Sequence, residues 1–459
     1  MRRLALTFSA AAGAVLCTVP PFASSPAEAL PLYTARSGRT CDNCHVDPTD
    51  WENPPLPDRK CTLSCMGCHT DPSGGGLRTV SGEFYGQSTL PMFLPSHRGW
   101  EDWERGPFWT SPDEKRSNKV PDLAWGSPAG EPTVNTWDQA RYAGLNADPA
   151  LSLGIDARVA AWLMGDGEAS VFPMQFDTHA AVHPIERVTV AATAGVIADK
   201  QGFGATFERN TAFAVKDVYA MVHELPYMTY VRAGRFVPPF GTRTEDHTSP
   251  IRRDFELDGS TMHSRVTGVE LGFAPNYPYA QVAVFRPGPR DDGLLGDGAV
   301  PVLGVPGIGV AASAGYRDLG WQLGASAMLK RRPFEFGGDT ESVSLQGAFN
   351  PWYYTRAVPL TFLGEYAVGR RQNPWTGGPQ SHVAGMLEAD LLVFNGLNLR
   401  LKYDFSDPDT VVGGDQRQTV GLGADVHLMT NTTVTGQVRV DPNGGDPAYD
   451  AILFLHLWL

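Results

Sequence analysis

Four cysteines of this chain stand in two phrases of one form, Cys41-Asp42-Asn43-Cys44-His45 and Cys65-Met66-Gly67-Cys68-His69. Two thiols three positions apart can each form a thioether to a vinyl group of one haem. The histidine that follows then lies beneath the porphyrin, where a ring nitrogen ligates the iron. Other chemistries use only parts of the pattern. A disulfide framework gives no reason for a histidine after both pairs. A zinc site made from the same four thiols has acceptable spacing but leaves both histidines to coincidence. Cys61, Cys65 and Cys68 mimic an iron–sulfur triad, a cofactor of reducing compartments. Haem attachment accounts for every residue of both phrases. The expectation is therefore two covalent c-type haems held by Cys41, Cys44, Cys65 and Cys68, with His45 and His69 as proximal ligands. Cys61 is left over, as a buried thiol or as a partner for another molecule.

The distal side is less constrained. His97 is the one further histidine in this stretch and the first candidate, and Met92 is the second; a surface histidine is the competing reading of His97. One such histidine cannot serve two irons, so the other haem takes Met92, a histidine from the lumen of the barrel that the rest of the chain predicts, or stays five-coordinate. Asp71-Pro72-Ser73-Gly74-Gly75-Gly76 follows the second motif, and a triple glycine lets backbone approach a flat macrocycle closely. Arg78 is placed either to pair with a haem propionate or to face solvent. Trp100, Trp103, Trp109 and Trp125 punctuate a Pro-rich stretch that reads as an irregular plug or linker packed against something large.

Such haems need an oxidising compartment and a scaffold, and the rest of the chain supplies signals for both. Met1-Arg2-Arg3, an uncharged run from Leu4 to Val19 and Ala27-Glu28-Ala29 have the form of a signal peptide over residues 1–29. The apolar run is shorter than the ~18 to 20 residues a membrane helix needs. Removing residues 1–29, with two arginines and one glutamate, takes the net charge from −13 to −14. That acidity argues against nucleic acid as a partner. Residues 30–130 then form a cytochrome head, and residues 131–459 a long tail of a different kind.

In the tail the period becomes two. Leu151-Ser152-Leu153-Gly154-Ile155-Asp156-Ala157-Arg158-Val159 alternates apolar with small or charged residues, as do Val188–Ala194, Val266–Leu271, Leu397–Tyr403 and Val420–Val426. Alternation sorts side chains onto two faces of a strand. A soluble sandwich or propeller would turn the apolar face inward, whereas a transmembrane barrel turns it to lipid and keeps charges in the lumen. Asp156, Arg158, Glu270, Arg400 and Lys402 stand off-phase, as a polar lumen wants. Tyr227, Tyr230, Trp352, Tyr353 and Tyr354 fall near strand ends, as interfacial girdles do. The chain also closes on Leu453, Leu455, Leu457 and Leu459 alternating with Phe454, His456 and Trp458, which resembles an outer-membrane assembly signal. At ~20 residues per strand and connection, the 327 positions from 133 onward predict about 16 antiparallel strands, within a range of about 14 to 18. The fold class expected is all-β, a transmembrane outer-membrane barrel with a small dihaem head as its plug.

The order of signal peptide, haem-binding head and barrel resembles the fused cytochrome–porins of iron-oxidising bacteria. Leu30-Pro31-Leu32-Tyr33-Thr34-Ala35-Arg36, just before the first haem motif, is similar to that family's entry to its motif. Val231-Arg232-Ala233-Gly234-Arg235-Phe236-Val237-Pro238-Pro239-Phe240-Gly241 looks like a strand-and-turn phrase of anion-type porins. The resemblance implies a cytochrome seated in a single-chain barrel, passing electrons through the outer membrane between extracellular iron, or another redox partner, and periplasmic cytochromes. This chain departs from the family in carrying a second motif, which bears on substrate and potential. Three other readings stand beside it: a dihaem peroxidase-type enzyme, a diffusion porin with a haem-bearing gate, and a soluble periplasmic β-protein. An electron carrier is expected in preference to a substrate-converting enzyme, with iron oxidation or reduction as the enzymatic form.

Overall fold

The computed structural model describes residues 65–67, 69–79 and 150–458, the last with gaps at 166, 168, 186, 198–211, 244–245, 247, 258–263, 275–276, 289–302, 319, 356–357, 374–375, 395, 430 and 443–448. Sixteen strands close on themselves into one antiparallel barrel, each paired with its neighbours in sequence and the last paired with the first. They are β1 (Leu151–Met164), β2 (Ala169–Ile185), β3 (Val188–Ile197), β4 (Ala212–Leu225), β5 (Thr229–Phe236), β6 (Val266–Phe273), β7 (Pro278–Arg286) and β8 (Ile308–Arg317). The circuit continues through β9 (Trp321–Arg331), β10 (Thr340–Phe349), β11 (Leu360–Gln372), β12 (Pro379–Phe394), β13 (Leu397–Asp407), β14 (Arg417–Met429), β15 (Thr432–Val440) and β16 (Tyr449–Trp458). Closure runs from Asp156 opposite Trp458 to Met164 opposite Asp450. A closed barrel leaves no strand edge unpaired, which is why such a wall can stand in hydrocarbon, where an open edge cannot. The strand number and the all-β barrel class match the sequence expectation, while most of the head expected as its plug lies outside the described residues.

The alternation of β1 becomes an inside and an outside. Leu151, Leu153, Ile155 and Val159 are exposed, while Ser152, Asp156, Arg158 and Ala160 are buried against the interior. The same sorting recurs around the wall: Val269 and Leu271 face out where Glu270 is 0% exposed, and Leu399 and Leu401 face out where Asn398 and Lys402 are buried. An apolar outside around a polar inside inverts the arrangement of a soluble barrel and excludes the soluble β-protein. Lipid takes the outer face, and the wall is of the outer-membrane type. Tyr227 and Tyr354 are exposed near strand ends, as a girdle requires. Tyr230 departs from that expectation. It is fully buried in the lumen and donates to Glu270 Oε1 at 2.6 Å, because its position falls on the inward phase of β5.

The connections sort the two ends of the barrel. At one end the chain turns within a few residues, as at 186–187, 226–228, 395–396 and 430–431. The other end carries the long connections, 198–211, 237–265 and 287–307. Strand β1 starts and β16 stops at the short-turn end. At the β4–β5 turn, Tyr227 and Met228 take left-handed backbone, φ 61° and 53°, which lets the chain reverse in three residues.

Candidate functional site

The second cysteine–histidine motif lies inside the barrel. Cys65–Gly67 form a short 3-10 helix, and the His69 N–H donates to the Cys65 carbonyl at 2.8 Å. That hydrogen bond sets the backbone of the motif's last residue, His69, against that of its first, Cys65. The chain then loops out and returns: Thr70 N–H donates to Leu77 O at 2.9 Å, and His69 and Arg78 form an antiparallel bridge. Asp71 shapes the loop by accepting from the Ser73 N–H at 2.8 Å, and also from its hydroxyl. Gly74, Gly75 and Gly76 follow with φ of 87°, 78° and 59°, three successive left-handed positions that a side chain would strain.

This segment rests on the inner wall of β2 to β6. Leu77 is buried with Ala181, Ala191, Tyr219, Met221 and Tyr230, and Met66 packs against the same cluster. Arg232 Nη1 donates to Asp71 Oδ2 at 2.8 Å, and its Nη2 donates to Glu270 Oε2 at 3.0 Å. Arg232 is fully buried, stacked over Phe236 at 4.3 Å, so two carboxylates, one from the wall and one from the insert, balance its charge. Burial raises the Asp71 carboxyl, but Arg232, Arg243 and the Ser73 hydrogen bonds outweigh it and hold Asp71 below the ordinary carboxylate value. At the segment's end, Arg78 lies 5.5 Å from the ring centroid of Trp458, the last described residue of β16.

A second insert comes from the end that carries the long connections. The β5–β6 connection turns into the lumen after Pro238-Pro239 and carries a short helix, α1 (Pro250–Asp254). It crosses to strands it does not adjoin in sequence. Gly241 N–H donates to Ser326 Oγ at 2.8 Å and Thr242 N–H to Glu365 Oε2 at 3.0 Å. Lys402 Nζ reaches Asp246 at 2.7 Å, and Ser406 Oγ reaches Asp254 at 2.5 Å. Glu256 takes both Lys330 and Arg332 at 2.5 Å from a left-handed backbone, φ 58°. Burial pushes the Glu256 carboxyl up, yet Arg332 and Lys330 together hold it well below the carboxylate range. Beneath the loop Phe236, Phe240, Ile251, Phe255 and Leu257 form an apolar core within the lumen.

The lumen's charges are segregated. Buried Lys216, Arg232, Arg235, Arg265, Arg317 and Lys330 lie on or beside β4 to β9, with Glu270 among them. Buried Glu365, Glu388, Asp390, Asp404, Asp407 and Asp425 lie on β11 to β14, with Lys402 among them. Opposed charge across a polar channel makes a field transverse to its axis.

Of the residues singled out in the sequence, Cys65, His69 and Arg78 are brought together on one lumenal segment, and Asp156, Arg158, Glu270, Arg400 and Lys402 line the inner wall. Cys41, Cys44, His45, Cys61, Cys68, Met92 and His97 lie outside the described residues, as do the signal peptide 1–29 and the tryptophans at 100, 103, 109 and 125. Sequence reasoning missed the inward loop and its cross-lumen pairs. The one available signal was the Val231–Gly241 phrase, whose Val237-Pro238-Pro239-Phe240-Gly241 part is where the chain leaves β5 for the lumen.

No protein-family model and no curated protein matches the chain. Among solved structures it is similar to an anion-selective porin from Comamonas acidovorans, at 11% identity over 67% of this chain and 99% of that one, with a TM-score of 0.45. It is also similar to the Salmonella typhi OmpF complex with daunomycin, at 13% identity, 67% and 97% coverage and a TM-score of 0.49. A third is the outer membrane channel DcaP of Acinetobacter baumannii, at 13% identity, 67% and 97% coverage and a TM-score of 0.44. The porin-like architecture of this chain rests on its own sixteen closed strands and its outward apolar face.

Proposed function

We propose that this protein carries electrons across the outer membrane through two covalently held c-type haems, between extracellular iron or another redox partner and periplasmic cytochromes. The single observation that carries the reading is position: the Cys65–His69 turn sits within the lumen of a membrane-spanning barrel, anchored to the wall through Asp71 and Arg232. Cys65, Cys68 and His69 would hold one haem, and Cys41, Cys44 and His45 the other. Each haem supplies a one-electron redox couple whose potential follows its ligands, burial and nearby charge. The hydrocarbon around the barrel is an insulator ~25 Å tall, so redox centres within the lumen are what such transfer requires. The chain's own residues do the rest. The helical turn presents the attachment positions, the triple-glycine loop keeps side chains away, and Arg232 fixes the insert to the wall. Buried cations on β4 to β9 favour anionic groups such as propionates on that side.

The test is redox communication across a sealed membrane. Purified protein in liposomes containing an impermeant reductant should reduce an external ferric acceptor, and barrels lacking covalent haem should not. Equal rates with and without haem would sink the reading. The segregated lumen charges favour a second function, solute diffusion gated by the head. It predicts ion conductance in planar bilayers that rises when residues 30–130 are removed.

A further inference from the structure

We propose that Arg232 and Arg243 form a binding site for small carboxylates on the lumenal wall, and that Asp71 occupies this site as a tethered ligand. The inference uses no haem and stands apart from the electron-transfer reading. Asp71 belongs to a segment 161 positions away in sequence, yet its Oδ2 accepts from Arg232 Nη1 at 2.8 Å. The Arg243 guanidinium, carried by the β5–β6 connection, helps to hold the same carboxyl below its ordinary value. Two cations from different elements thus act on one carboxylate, the group a guanidinium recognises best.

The wall and its loop, rather than the insert, aim these groups. Arg232 Nη2 donates to Glu270 Oε2 at 3.0 Å, and the guanidinium lies over the rings of Phe236 at 4.3 Å and Tyr219 at 5.5 Å. Tyr230 donates to Glu270 Oε1 at 2.6 Å and accepts from Gln281 Nε2 at 2.7 Å, while Gln281 Oε1 accepts from Arg243 Nη2 at 3.3 Å. A continuous run of hydrogen bonds therefore joins the two guanidiniums through β5, β6 and β7 without an atom of the insert. Arg243 Nη1 is buried with no hydrogen-bond partner among the described residues, a donor left over at the site. Charge points the same way. Within this run two guanidiniums stand against one carboxylate, Glu270, and Asp217, also near Tyr219, is already paired with Arg265 at 3.3 Å. Asp71 supplies the missing negative charge, and without it the buried cations call for another anion. The Asp71 side chain is 29% exposed, so the site opens to lumenal water and to solutes in it.

A structural anchor and an occupied site respond differently to free ligand. A tethered occupant competes at an effective concentration on the order of mM, so removing it opens the site to carboxylates in solution. The probe is isotope-labelled acetate added to full-length protein in detergent, at constant ionic strength set with chloride. Binding is read from the acetate line width in nuclear magnetic resonance, and barrel folding from heat-modifiable gel migration. Asp71→Ala should bind acetate several-fold more tightly than wild type, and adding Arg243→Gln should cancel that gain. In wild type, acetate in place of chloride should speed amide exchange in residues 65–79 several-fold and leave 237–265 unchanged. A folded Asp71→Ala barrel with wild-type affinity for acetate overturns the inference. So does a gain that survives Arg243→Gln, which would put the acetate elsewhere. If Asp71→Ala fails to fold, exchange in wild type decides, and equal rates in acetate and chloride overturn the inference. Haem content enters none of these readouts, so the electron-transfer reading stands or falls separately.

Discussion

Two segments lie within this lumen, and they are held by different means. The β5–β6 loop, 237–265, leaves its own strands and is tied across the channel to β9, β11 and β13 by Lys330, Glu365, Lys402 and Ser406. The 65–79 insert packs Leu77 into an apolar cluster of β2 to β5, pairs Asp71 with Arg232 and rests Arg78 near Trp458. The loop's ties are numerous and buried; the insert's carboxylate is partly open, its side chain 29% exposed. A segment fixed at many points across a channel acts as part of the scaffold. One that rests on a small apolar cluster and a partly open ion pair is easier to displace. The difference in anchoring matches the difference in proposed role.

The largest effect expected is on the insert's chemistry. Cys65→Ser with Cys68→Ser should lower covalent haem from two per chain to one, read by pyridine assay, and leave the barrel's gel migration unchanged. Unaltered haem content would remove the insert from the comparison. Next in size is the loop. Glu256→Gln leaves Lys330 and Arg332 buried without their carboxylate, and breaking such a pair costs about 3–5 kcal/mol. The loop should become protease-sensitive and channel conductance should rise, whereas the 65–79 insert should keep its protection.

A control on the scaffold itself ranks third. Val269→Arg, on the lipid face beside Glu270, should destabilise the barrel by roughly 2–4 kcal/mol in a folding titration. The neighbouring lumenal phase tolerates charge, so the contrast tests which face meets lipid. The smallest effect belongs to Asp71→Asn, about 1 kcal/mol because the pair is partly solvated. It should loosen the insert in hydrogen exchange and leave the loop unaffected.

Acid provides a graded version of the same contrast. Asp71 and Glu256 both have folded-state values below the ordinary carboxylate pKa of about 4. Their pairs therefore contribute full stability above that value and lose it as pH falls through the lower, folded one. Neither anchor should release between pH 8 and pH 5. In stronger acid the insert should detach before the loop, since two cations grip Glu256. Proteolysis with an acid-active protease across this range would show the order, and detachment of both near pH 6 would contradict it.

The wall was legible in the sequence because a lipid-facing strand has a local signature. Leu151, Leu153, Ile155 and Val159 must face hydrocarbon, Asp156 and Arg158 must not, and strict alternation writes that requirement into consecutive residues. Strand number followed from length, whereas the pairing of β16 with β1 appears only in the structure. The two Cys-x-x-Cys-His phrases were visible for the same reason, since their spacing is contained within five residues. Tyr230 was misread as a girdle residue because proximity to a strand end says nothing about phase. The inward loop was illegible because Glu256 and Lys330 meet across 74 positions of sequence, and Lys402 and Asp246 across 156.

What the sequence by itself determined is a membrane barrel of about sixteen strands and two Cys-x-x-Cys-His phrases ahead of it. Only the tertiary structure decided which lumenal groups meet. Arg232 finds both Asp71 and Glu270, the loop finds the far wall, and His179 finds the glycine loop beside His69. The physical reason is one of range. Strand alternation and thioether spacing act between neighbours, whereas a closed barrel brings together side chains that only its curvature and register can place.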